Sequence, residues 1–149
     1  MHVTLATACE FATVDVTGRL NLSGIFSTWN VDQFPTVVTR FYLAAQLMAD
    51  ESSERDQSGI QAIKISCSRR MPPKIIDEQI MSAEVSIQLG KPNDLDQLPR
   101  YIPVYWPIFV AIDGLALPGP GLYTFKMSYK DIEVAVIKIG AKHLPVVKK

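Results

Sequence analysis

Between Val104 and Ile139 the chain carries the pattern that most limits its fold. An apolar run, Val104 to Ile112, meets a corner reading Asp113-Gly114-Leu115-Ala116-Leu117-Pro118-Gly119-Pro120-Gly121. Proline fixes φ and glycine frees it, so the corner suits neither helix nor central strand and reads as a connection between strands. Beyond it Tyr123, Phe125, Met127 and Tyr129 alternate with Thr124, Lys126 and Ser128. A period of two sends one set of side chains to a core and the other to water. Ile132 to Ile139 supplies a further strand after a tight turn near Lys130-Asp131.

The same alternation recurs upstream. Val3 to Cys9 reads as a first strand, Asp15-Val16-Thr17-Gly18 as a turn, and Arg19 to Thr28 as the returning arm of a hairpin, with Leu20, Leu22 and Phe26 in phase. Gly24 falls on that apolar face, which predicts a bulge or a close approach by a neighbouring backbone. Trp29 to Pro35 reads as a connection. Val38 to Met48 follows as a strand with Phe41, Leu43, Ala45 and Leu47 on one face; Tyr42, Ala44, Gln46 and Met48 make the other face unusually apolar, as in a central or covered strand. Residues 49–59 are polar and aperiodic, a loop composition. Ile60 to Ser68 and Ser82 to Leu89 alternate again, the latter with Ala83, Val85, Ile87 and Leu89 expected inward. Residues 90–100 form another loop.

In Val104 to Ile112 both faces are apolar: Tyr105, Pro107, Phe109 and Ala111 on one side, Val104, Trp106, Ile108, Val110 and Ile112 on the other. Such a strand lies between two layers or turns its second face to a partner, while Pro107 favours an edge or a bulge. About eight strands with no amphipathic helix predict an all-β protein, an antiparallel β-sandwich of immunoglobulin-like or jelly-roll-like form, with a closed barrel as the rival. No period of about 20–50 residues repeats, which excludes solenoids and propellers.

The 149 residues suit one domain, 1–149, with a short basic tail from about residue 141. Fifteen basic residues balance fifteen acidic ones, so no global field gathers phosphates or anionic lipid, and nucleic acid is excluded as an expected partner. A hydrophobic content of 48% excludes a disordered chain. Pro103 and Pro107 break the best apolar run and Asp113 closes it, short of the about 20 residues a helical span needs, so no membrane partner is expected. The first residues lack the basic and unbroken apolar regions of a secretion signal. Cys9 and Cys67 lie in strand-like segments as small buried hydrophobes, and a reduced, cytoplasmic protein is expected.

Candidate chemistry is sparse. His2 and His143 have no Asp, Glu or Cys at ligand spacing, so no metal is expected, and each reads as a surface residue. No nucleophile elbow, Walker loop, zincin or dinucleotide motif occurs, so neither cofactor nor catalytic residue is assigned. Asp15, Asp32 and Asp113 read as turn aspartates bonding their own backbone. Arg69, Arg70 and Lys74 form a polar rim without a glycine cradle for an anion. Aromatic residues carry the remaining signal: Trp29, Tyr101, Tyr105, Trp106 and Phe109 are the candidates to face a partner.

Gly18-Arg19-Leu20-Asn21-Leu22-Ser23-Gly24-Ile25-Phe26 after Ala12-Thr13-Val14-Asp15, then Phe34-Pro35, then Gly114-Leu115-Ala116-Leu117-Pro118-Gly119-Pro120-Gly121-Leu122-Tyr123-Thr124-Phe125, resembles a group of small bacterial proteins known only as a domain of unknown function. The resemblance spans nearly the whole chain. It implies a stand-alone, intracellular β-sandwich of bacterial or phage origin, without assigned activity or catalytic residues. Tyr129-Lys130-Asp131-Ile132 departs from the Asp-Gly turn common in that group between the final two strands.

Together these readings predict a non-enzymatic interaction module, accessory or structural, that binds a protein partner or itself. A small-ligand or carbohydrate-binding sandwich would instead display coplanar exposed aromatics in a groove. A loop-assembled enzyme would gather ionisable residues in a pocket.

Overall fold

β-Branched and aromatic residues at alternate positions pack on a pleated, half-buried surface, which is why these segments become strands. The computed structural model describes residues 2–49, 59–73, 77–89 and 103–144. Its strands are β1 (His2–Val14), β2 (Leu20–Phe26), β3 (Thr28–Val31), β4 (Thr36–Ala49), β5 (Gly59–Arg70), β6 (Glu78–Leu89), β7 (Val104–Leu117), β8 (Gly121–Tyr129) and β9 (Ile132–His143). The protein is all-β, in two sheets of order β2-β1-β4-β7 and β3-β9-β8-β5-β6. Every pairing is antiparallel except β3 with β9.

One apolar core lies between the sheets. The four-stranded sheet contributes Phe41, Leu43 and Leu47 from β4 and Trp106, Ile108 and Val110 from β7; opposite them stand Ile63 and Ile65 of β5, Tyr123 and Phe125 of β8, and Ile137 and Ile139 of β9. Each fully buried Leu, Ile or Phe of this set contributes roughly 1.5–3 kcal/mol relative to exposure. The Tyr123 hydroxyl enters the core because it donates to the Gly119 carbonyl at 2.7 Å, meeting the rule that buried polar groups find partners.

Four features differ from the sequence reading. First, Trp29 does not lie in a mere connection. The chain leaves the four-stranded sheet at Ser27, whose carbonyl accepts from Gly140 N–H at 2.9 Å, and Thr28–Val31 then pair in parallel with 140–143. This short strand, β3, brings the described strands to nine where about eight were expected, and it breaks the antiparallel rule.

Second, the corner is shorter than expected. β7 runs on through Asp113 and Gly114 to Leu117, leaving only residues 118–120 to turn the chain. Gly114 adopts φ +70°, a left-handed backbone that other residues resist. Burial passes there from even positions (Val110, Ile112) to odd ones (Leu115, Leu117), and β4 changes phase with it between Val38 and Phe41. The ladder between them, from Val38 opposite Leu115 to Phe41 opposite Ile112, keeps its register.

Third, β6 is less buried than its clean alternation suggests. Ala83 is exposed and Val85 and Ile87 only partly covered, because β6 is an edge of its sheet. Fourth, β1 extends beyond Cys9 to Val14, carrying Phe11 into the sheet. The tight β8–β9 turn forms where expected, with Lys130 and Asp131 both left-handed at φ 50° and 61°; two consecutive positive φ values are what a hairpin of matching twist requires. Gly24, at φ +65°, lies across from Glu10, and a Cβ there would sit 2.5 Å from the Glu10 carboxylate. The atoms close to Gly24 thus belong to a side chain, not to the neighbouring backbone expected from the sequence.

Candidate interaction face

Strand register sets the geometry, because directly paired residues share a face. On the outside of the four-stranded sheet, the pairings line up Ile25, Cys9, Tyr42 and Ala111 in one row. The next rows run Thr7, Ala44, Phe109, then Leu5, Gln46, Pro107, then His2, Met48, Tyr105. None of these positions holds Asp, Glu, Lys or Arg. Leu5, Ile25, Tyr105 and Phe109 are exposed. Phe11, 54% exposed, sets its ring 6.0 Å from that of Tyr42, which in turn lies 6.2 Å from Phe109. An aromatic ridge therefore crosses β1, β4 and β7. Beside it the small residues Cys9 and Ala44 are wholly buried, and with Ala12 they form a separate apolar cluster against Leu20, Leu22 and Tyr42.

The opposite outer face shows what an ordinary solvated sheet looks like in this chain. Its rows read Glu84, Lys64, Ser128, Glu133, then Ser82, Ser66, Lys126, Val136, then Gln79, Ser68, Thr124, Lys138. Lys126 and Glu133 pair at 2.9 Å, and Lys64 reaches Asp131 at the hairpin turn at 2.5 Å. One sheet presents charge to water and the other presents aromatic carbon.

At one end of the apolar face Arg40 and Asp113 are direct cross-strand neighbours. Their bidentate contact, 2.6 and 3.0 Å, holds the Asp113 carboxyl below its ordinary range and raises the Arg40 guanidinium. Both side chains remain more than half exposed, so this is a neutral rim.

The structure separates the aromatic candidates. Tyr105 and Phe109 are on the open face. Trp29 and Trp106, 9% and 3% exposed, are core residues, which corrects their expected placement toward a partner. Trp29 is ringed by Phe26, Phe41, Tyr123 and Phe125 at 5.3–6.3 Å. Trp106 shares the even, inward parity of Ile108 and Val110. Tyr101 lies outside the described residues. The sequence reading missed Phe11, Leu5 and Ile25; the parity Leu5, Thr7, Cys9, Phe11 was the available signal, weakened by a threonine and a cysteine.

Two further hollows are lined by described residues. A cleft of about 380 Å³ opens between the edge strands β6 and β7, lined by Ile80, Met81, Ala83, Val85 and the 110–116 segment, with Asp113 the one ionisable side chain among the described lining residues. A polar recess of about 600 Å³ is lined by Asn30, Asp32, Gln33 and Thr36. Among the described residues no three of His, Cys, Asp and Glu gather as a metal site. Arg69 and Arg70 are engaged by Glu78 and Asp77. No helix among the described residues is long and apolar enough to cross a membrane.

A family model matches residues 4–142. The chain belongs to DUF6941, a family of unknown function. No curated protein matches this DUF6941 member in sequence. Among solved structures it is similar to a β-glucosidase of Listeria innocua bound to gluconolactone, at 10% identity and TM-score 0.41, over 80% of this chain and 15% of that one. It is also similar to the β-glucosidase EmGH1 of Erythrobacter marinus, at 9% identity and TM-score 0.40, over 78% and 14%. A glucose-bound β-glucosidase of Kluyveromyces marxianus matches at 9% identity and TM-score 0.39, over 80% and 14%. The DUF6941 member spans about one seventh of the length of these enzymes, and likeness at this level carries no argument about activity.

Proposed function

We propose that this chain is a non-enzymatic β-sandwich interaction module, an accessory or structural component of a bacterial or phage assembly in the cytoplasm, acting through protein contacts. The uncharged aromatic face of β1, β4 and β7 is the observation that carries the reading. Interfaces are depleted of charge at their centre and enriched in Tyr, Phe and Met, with a polar rim, the arrangement of Phe11, Tyr42, Phe109, Tyr105 and Met48 beside the Arg40–Asp113 pair. Large apolar patches on a folded protein mark interaction sites. Sugar stacking is less well supported: the ring planes along the ridge meet at 75° and 59°, and both tryptophans are buried. A loop-assembled enzyme has less support still, since among the described residues the seam cleft brings a single ionisable group, which Arg40 already pairs.

The test is an affinity measurement on a protein captured from the source cell by the immobilised full chain. Tyr105→Ala and Phe109→Ala should each weaken its binding about tenfold or more, as truncated aromatic anchors do. Unchanged affinity in both variants overturns the reading. So does a glycan or metabolite that stabilises the fold by the roughly 2.7 kcal/mol expected at about 100 Kd.

A further inference from the structure

We infer that the apolar outer face of the four-stranded sheet packs against the same face of a second copy of this chain. The inference rests on the interaction-module reading and names its partner. Charge is the first argument. The central rows of the face carry no ionic group, and the Arg40–Asp113 pair at the rim is already neutral within one copy. Such a face has nothing with which to select a charged partner. Two copies of it meet without a charge clash, and with fifteen basic and fifteen acidic residues they bear no net repulsion.

Area is the second argument. Four strands at about 4.8 Å spacing and about nine residues of about 3.3 Å rise present roughly 600 Å² in projection. Two such faces hide at least about 1,200 Å² between them, which reaches the size of a specific interface. Shape agrees: the ridge of Phe11, Tyr42 and Phe109 runs beside the low ground of Thr7 and Ala44. Under a two-fold axis each ridge meets the other copy's low ground, since an isologous interface uses one patch twice. The sheets then stack at the usual separation of about 10 Å.

Sedimentation of the full chain against concentration tests this, with Ala111→Arg and Thr7→Arg placing charge on the face. Val136→Arg, on the outer face of the five-stranded sheet, is the control. The expected result is a particle of twice the 16.6 kDa chain mass. Each face variant should weaken it about 100-fold or more, while the control leaves it intact. An equimolar mixture of Ala111→Arg and Ala111→Glu chains should restore pairing, which distinguishes a broken interface from a misfolded chain. A wild-type chain that stays monomeric to about 100 μM overturns self-pairing, as does a dimer insensitive to both face variants. A monomer whose different partner is released by the same substitutions leaves the interaction reading standing and refutes this one.

Discussion

Asp15 shows how one side chain can set a connection. Its Oδ1 accepts from the Thr17 N–H at 2.8 Å, the Thr17 hydroxyl at 2.6 Å and the Arg19 N–H at 3.0 Å, so the β1–β2 turn closes around a carboxylate. Those bonds, led by the Thr17 hydroxyl, lower its pKa from 3.8 to about 2. A depressed carboxylate stabilises the fold above its unfolded pKa, and that share disappears as pH falls through the folded value. Wild-type stability should therefore decline between about pH 4 and about pH 2, and Asp15→Asn should flatten that part of the curve in urea titrations. A variant curve parallel to wild type would rule out the assignment.

Two other residues invite measurement at this scale. Cys9 and Cys67 are free and buried, and burial pushes the Cys67 thiol up to about 12. Since the thiolate is the reactive form, a thiol reagent at pH 8 should label neither until denaturant is added, and then both. Trp106 is buried with its indole N–H unpaired among the described residues. An orphaned donor costs about 1–3 kcal/mol of desolvation. Trp106→Phe removes that burden while losing volume, so it should cost no more than about 1 kcal/mol in equilibrium unfolding. A loss above about 3 kcal/mol, the usual range for deleting a large core side chain, would mean the donor is satisfied.

At the scale of elements, the β8–β9 hairpin carries a correctable strain. Lys130 and Asp131 both hold a left-handed backbone that Asn-Gly adopts more readily. Replacing them removes the Lys64–Asp131 ion pair, which is highly exposed and worth little. The double substitution Lys130→Asn, Asp131→Gly should raise Tm by about 2–4 °C; a fall would show that the turn's side-chain interactions dominate. This turn is legible from its flanking alternation, as are the buried faces of β4, β5 and β8, because a strand with one covered face writes its burial into every second residue. β3 is not legible: four residues hold too little period, and their partners in β9 lie more than 100 positions away. β6 misleads for the opposite reason, since its perfect alternation says nothing about whether a second layer covers an edge. The aromatic face is half legible. Phe109 and Tyr105 stand out within a two-faced strand, but Phe11 joins them only through the register of β1 on β4.

Across the whole molecule, the pairings that define each sheet are distant in sequence. β4 with β7 and β3 with β9 close only after most of the chain is present. Folding should accordingly take milliseconds to seconds, as in other sheet-dominated topologies. Stopped-flow fluorescence of Trp29, seated among four rings, would read it, and a microsecond phase carrying the full amplitude would contradict it. The contrast between the two outer faces has a practical corollary. Among the described residues every lysine, Lys64, Lys126, Lys130, Lys138 and Lys142, belongs to the five-stranded sheet or its hairpin turn. Amine coupling through these lysines to a sensor chip or bead will therefore tether the molecule by its wet side and hold the aromatic side toward the flowing sample.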